Sequence, residues 1–254
     1  HYAGQAPFEA IRETLKANLP IKEGVVKSES PLVKERETYT ERTIFFLPNE
    51  DSQQAQLYFY FNGEPYTKAE AVAYKAFSEY FGGGFTGLVM QEVREKRSMA
   101  YTASGSFSLP PLPGKKALFL GYIGTQPDKA ADAIDVYMSL LTDMPRYPER
   151  LEAIKVYMRQ SYLSSRPSFR NRTQVFDAWR RMGYEDDPAK VNKAAIDALT
   201  FETIESFYEK YVKDKPVTIV IMGDPKLINL KQVQEKYGKV TRLNANRLFS
   251  SNEI

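Results

Sequence analysis

The sequence predicts an α+β fold in which an antiparallel-rich sheet is covered by helices. Three observations point there. Several runs alternate with a period of two, as a half-buried strand requires: in residues 56–61, Leu57, Phe59 and Phe61 point one way and Tyr58 and Tyr60 the other. Longer segments between these runs repeat their apolar residues at helical spacing, Ala130, Ile134, Tyr137, Met138 and Leu141 among them. Tyrosine and phenylalanine are abundant, at 17 and 15 of 254 residues, and both favour sheets.

In chain order, residues 1–3 read as a strand remnant and Gly4 as a turn. A helix follows with Phe8, Ile11, Leu15 and Leu19 on one face. Residues 21–40 are charged and turn-rich, and read as a linker. Strands are expected over 43–47 and 56–61, the second broken by Asn62-Gly63. Thr67-x-x-Glu70 has the form of a capping box and starts a helix through Tyr80, which the triplet Gly82-Gly83-Gly84 ends. A helix over 85–96 then buries Phe85, Leu88, Val89 and Val93.

Strands over 99–107 and 116–124 flank a proline-rich turn, and a helix runs from about 127 to 144. Residues 147–211 are helical in pattern, broken near Arg166-Pro167, Gly183 and Asp187-Pro188, with Thr200 as a cap. A buried strand over 217–222, Gly223, a helix through Lys236 and a short strand around Val240 close the unit. The domain is therefore set at 41–245, with a tail over 246–254. Tyr2-Ala3-Gly4 and its helix echo Ile221-Met222-Gly223 and the helix after it. Residues 1–20 thus read as the closing strand–helix remnant of a preceding homologous domain, in a longer tandem-repeat protein.

Composition narrows the chemistry. Thirty-five basic and 32 acidic residues leave a net charge of +3, too balanced to steer nucleic acid or an anionic membrane. The absence of cysteine excludes disulfides and thiol catalysis and leaves the compartment open, cytoplasmic or periplasmic. The single histidine, His1, reads as a boundary residue and argues against a transition-metal site. The longest apolar runs, 57–61 and 217–222, fall far short of the ~20 residues of a membrane-spanning helix.

Residues 81–101 carry the chemistry. Arg94 lies near the end of its helix, and Tyr101 stands seven residues on, inside a strand. Two such side chains can converge, offering a fixed cationic fork and a phenolic donor to a carbonyl oxygen or a developing oxyanion. The plain alternative is a solvated helix arginine beside Glu92 and Glu95, with an ordinary strand tyrosine. The glycine triplet lacks the Lys-Ser/Thr ending of a phosphate loop and the spacing of a dinucleotide turn, so it reads as a tight connection. Residues 166–181 hold five arginines with Phe169, Phe176 and Trp179 interleaved. Their helical spacing favours a core stripe with a basic outer face over nucleic-acid contact.

Gly82-Gly83-Gly84, Leu88, Gln91-Glu92-Val93-Arg94-Glu95-Lys96 and Ala100-Tyr101 resemble the pitrilysin/insulinase family of zinc metallopeptidases. The likeness covers nearly the whole chain, including the Pro-Val-Thr-Ile-Val-Ile-Met-Gly run that ends at Gly223. It implies homologous α+β domains in two halves around a peptide chamber. The N-terminal half would carry zinc on a His-x-x-Glu-His motif with a distant glutamate. The C-terminal half would supply an arginine–tyrosine pair that holds the substrate backbone and helps stabilise the tetrahedral intermediate. Arg94 and Tyr101 match that pair in type and offset, and Gly83 and Gly84 would flank the chamber and touch substrate.

The helix over 67–80, where the zinc motif would lie, has no histidine. The resemblance therefore implies a non-zinc C-terminal half, inactive alone, with no cofactor of its own. Its partner would be a zinc-bearing homologous domain or subunit, and its substrates peptides. The alternative within the family is a non-catalytic structural core subunit of the same fold.

Overall fold

Among the described residues six strands form one sheet: β1 (Thr43–Pro48), β2 (Ala55–Pro65), β3 (Ala100–Ser108), β4 (Lys116–Thr125), β5 (Thr218–Gly223) and β6 (Val240–Arg242). The structure is a computed structural model that describes residues 1–19, 37, 39–110 and 112–248. Across the sheet the order is β3-β4-β2-β5-β1-β6. The β3–β4, β4–β2 and β2–β5 pairs are antiparallel, whereas β1 pairs in parallel with both β5 and β6. Parallel neighbours need long crossovers, and nearly the whole domain lies between β1 and β5.

Ten α-helices among the described residues accompany it: α1 (Phe8–Asn18), α2 (Ala71–Gly82), α3 (Ala130–Thr142), α4 (Leu151–Ser164), α5 (Arg172–Arg181), α6 (Pro188–Val191), α7 (Lys193–Asp197), α8 (Phe201–Tyr211), α9 (Leu230–Tyr237) and α10 (Ala245–Leu248). None is long and apolar enough to cross a membrane. The alternation in β2 sends Leu57, Phe59 and Phe61 into the core, as the period of two requires. α3 buries Ala130, Ile134, Tyr137, Met138 and Leu141.

Aromatic rings bind these layers. Tyr137 of α3 stacks on Phe59 of β2 with centroids 3.9 Å apart, and Tyr74 of α2 meets Phe107 of β3 edge-on at 5.0 Å and Phe207 of α8 at 4.7 Å. Each buried ring contributes about 1.5–3 kcal/mol from lost water contact. Favourable pair geometry adds about 0.5–1.5 kcal/mol.

Several local expectations are corrected. Residues 1–3 form no strand, because no described neighbour offers them a ladder. β2 runs on through Asn62-Gly63 to Pro65, absorbing the pair in a register shift against β4. The capping box is not made: Thr67 Oγ1 bonds the Glu70 carboxylate at 3.0 Å instead of a backbone N–H. α5 has no buried residue, so its expected core stripe is instead at the surface. The tail opens with α10, and the expected linker over 21–40 falls outside the described residues apart from Glu37, Tyr39 and Thr40.

Candidate functional site

Residues 82–101 are positioned by close backbone packing at one edge of the sheet. At Gly82 a Cβ would overlap the backbone N and O of Gly105, so the end of α2 lies directly on β3. A Cβ at Gly83 would overlap the carbonyl and carboxylate of Glu79, one turn earlier. Gly84 turns the chain with φ at +56°, a conformation glycine adopts freely. Its neighbours Phe85 and Thr86 belong to a single turn of 3₁₀ helix, pinned by a 2.9 Å bond from Arg150 to the Thr86 carbonyl. Burial pushes the Glu79 carboxyl up, against the opposing charge of Lys75.

The next helix departs from the sequence expectation. Only Leu88, Val89 and Val93 of its expected stripe are buried; Phe85 is 70% exposed. The α-helical backbone begins after Gly87, so Phe85, in the separate 3₁₀ turn, falls outside its periodicity. Residues Met90–Glu95 form a π-helix, closed by the bond from Lys96 N to Gln91 O at 3.0 Å. Such widened turns occur frequently at functional sites. The left-handed Ser98, at φ 52°, then turns the chain into β3.

Charge on this turn is divided between inside and outside. Glu92 is buried and accepts from Lys96 and from Arg97, the latter at 2.7 Å; Arg97 also bonds the Glu92 carbonyl at 2.7 Å. Burial alone would raise the Glu92 carboxyl, but the hydrogen bonds from Lys96 and Arg97 outweigh it and hold the group below its usual range. Arg94 is left outside this cluster. Its side chain is 40% exposed, rests over the Phe85 ring at 5.7 Å and, among the described residues, makes only a long ion pair, 3.7 Å, to Glu95.

Tyr101 is 57% exposed on β3, the edge strand. Ala100 pairs with Thr125 and Thr102 with the adjacent Gly124, so Tyr101 is the extra residue of a β-bulge. Bulges re-aim a side chain relative to its strand. Arg94 thus meets Phe85, which Gly83 and Gly84 adjoin in the chain, and Tyr101 stands on the strand that packs against the π-helix. No direct hydrogen bond joins Arg94 to Tyr101 among the described residues. Sequence reasoning missed Phe85 as a surface ring under Arg94 and Glu92 as the buried anchor; a glutamate followed at four and five residues by Lys96 and Arg97 was the available signal.

α2 does not fit zinc. Its inward face is aromatic, with Tyr74, Phe77, Tyr80 and Phe81 all buried. Among the described residues no group of three or more His, Asp or Glu side chains is placed to hold a metal.

A family profile described as the peptidase M16 inactive domain matches residues 11–155, more than half of the chain. The chain belongs to the peptidase M16 inactive-domain family. Solved structures share the fold of this M16 domain. A protease from Helicobacter pylori superposes with a TM-score of 0.66 at 19% identity, over 87% of this chain and 53% of that one. A peptidase M16 inactive domain from Pseudomonas fluorescens gives 0.59 at 21%, over 85% and 50%. A chain of complex III2 from Candida albicans gives 0.64 at 13%, over 91% and 57%. The M16 domain therefore spans about half the length of these chains. No curated protein matches its sequence.

Proposed function

We propose that this M16 domain is the substrate-holding, zinc-free half of a metallopeptidase. A zinc-bearing M16 domain would be its partner and peptides its substrates. The observation that carries the reading is the division of charge at the π-helix: Glu92, Lys96 and Arg97 satisfy one another, while Arg94 stays exposed over Phe85, on a helix packed against the strand that bears the bulged Tyr101. An uncommitted guanidinium and a phenol suit a peptide carbonyl, and both contacts strengthen as that oxygen gains charge in a tetrahedral intermediate. Gly84, with open space about it, leaves its backbone free for a peptide chain, and Gly83 adjoins it. Metal-assisted attack belongs to the partner.

The test adds this chain to its zinc-bearing counterpart and follows peptide cleavage. Arg94→Ala is expected to lower kcat/KM by roughly 10²–10³-fold, the cost of one preorganised donor. Tyr101→Phe should cost less. Cleavage that requires this chain yet ignores both substitutions would sink the assignment.

The second reading, a structural core subunit, is favoured by the likeness to the Candida albicans complex III2 chain. It is distinguished by an assembly that forms with this chain and cleaves no peptide. We also propose that α1 closes a preceding homologous domain. It is amphipathic, yet Phe8 is 75% exposed and no α1 residue is buried among the described residues, as expected for a helix whose partner lies elsewhere.

A further inference from the structure

α5 lies beyond residues 11–155, the span of the family match, and a site on it is independent of the Arg94–Tyr101 reading. The helix presents its aromatic stripe to a cleft of about 500 Å³, within the roughly 300–1,000 Å³ of small-ligand sites. Phe176 and Trp179 line it edge to face, centroids 5.3 Å apart, with Phe176 48% exposed. The buried Tyr184 also lines it. Its N–H bonds the Trp179 carbonyl at 2.9 Å and its hydroxyl lies 3.4 Å from that of Tyr66; Lys68 holds the adjacent Gly183 carbonyl at 2.8 Å. These bonds tie the cleft to the start of α2, so its walls are preformed.

The charge of the lining is one-sided, with four carboxylates against the single guanidinium of Arg180. Three carboxylates are already engaged. Asp177 pairs with Arg181 at 2.9 Å, Asp186 pairs with Lys190, and Asp187 caps α6 through Ala189 N at 2.8 Å. Glu185 has no partner among the described residues, and no ion pair joins it to Arg180 among them. Thr173 lines the same cleft with a buried hydroxyl that has no hydrogen-bond partner among the described residues. Aromatic faces next to a free carboxylate attract a cation through both the ring quadrupole and the opposite charge. A polyanion would be repelled here, despite the arginines of residues 166–181.

We propose that this cleft binds the arginine or lysine side chain of a peptide, holding its cation against Phe176 and Trp179 and pairing it with Glu185. Trp179 is the only tryptophan of the chain, so its fluorescence reports on this cleft alone. The full chain is titrated with Nα-acetyl-arginine amide, with its neutral isostere Nα-acetyl-citrulline amide, with agmatine, and with a Gly/Ser heptapeptide carrying one arginine. The expected result is saturable binding of the acetyl-arginine amide and the heptapeptide, both tighter than agmatine, with no binding of the citrulline probe. Glu185→Gln, at an exposed loop position, should weaken binding roughly tenfold through loss of one charge-assisted contact, with unchanged circular dichroism. Equal binding of the citrulline probe, or an unaffected Glu185→Gln variant, would overturn the proposal. Agmatine binding as tightly as the peptide would reassign the cleft to free cations. A fluorescence change on dilution without ligand would assign it to self-association. Either result defeats the peptide assignment.

Discussion

An alanine at Gly82 would drive its Cβ into the backbone of Gly105, and α2 could keep its place on β3 only through a backbone shift. Gly84, two residues on, has open space around it; an alanine there fails through its left-handed φ instead. Chemical denaturation should show Gly82→Ala losing about 1–3 kcal/mol or more through overpacking. Gly84→Ala should lose roughly 1–2 kcal/mol through backbone strain alone. Glu92 makes a prediction about acid. Its carboxyl is held below the ordinary ~4.3, so the stability it contributes is present above that value and is lost as pH falls through the folded-state value. Glu92→Gln should cost about 1–3 kcal/mol near neutrality, by leaving Lys96 and Arg97 without their buried acceptor. The variant's midpoint should then fall less steeply than the parent's in this acid range; parallel acid limbs would refute the assignment.

At the scale of elements, the bulge in β3 and the surface stripe of α5 were both hidden from periodicity. Deleting Tyr101 leaves Ala100 opposite Thr125 and Thr102 opposite Gly124 in an unbroken ladder. Thermal melting should therefore place the deletion within about 1 kcal/mol of the parent, since a bulge inserts a residue without a ladder partner. An unfolded deletion variant would show that the bulge is structural. On α5, Phe176→Ala should cost about 0.5 kcal/mol or less, as at other surface positions. Phe77→Ala on α2, fully buried, should cost about 3–5 kcal/mol. In sequence α5 reads as a helix with an apolar stripe and a basic outer face. A period of 3.6 shows that a helix has an apolar face without showing what lies opposite.

At the scale of the molecule, the sheet order decides which pieces can fold. β5 comes late in the chain, yet it lies between β2 and β1 at the centre of the sheet. A fragment ending at residue 155, where the family match stops, would lack β5 and also α8, which packs on α2. The remaining strands would split into two pieces with open edges and an uncovered aromatic face. Circular dichroism and limited proteolysis should find that fragment unfolded; a cooperative melt would contradict this account of the core.

The sequence by itself determined the fold class, most element positions, the inward faces of β2 and α3, and Arg94 and Tyr101 as the residues to watch. The first three rest on period, turn chemistry and residue type, all of which are local; Arg94 and Tyr101 rest on the resemblance to the metallopeptidase family. Tertiary structure alone decided the mixed strand order, because pairing joins residues far apart in the chain. It also decided the π-turn that engages Glu92 and leaves Arg94 outside, the bulge at Tyr101, and the exposure of Phe85 and α5. Each of these depends on what occupies the space beside a residue, and spacing along the chain carries no record of that.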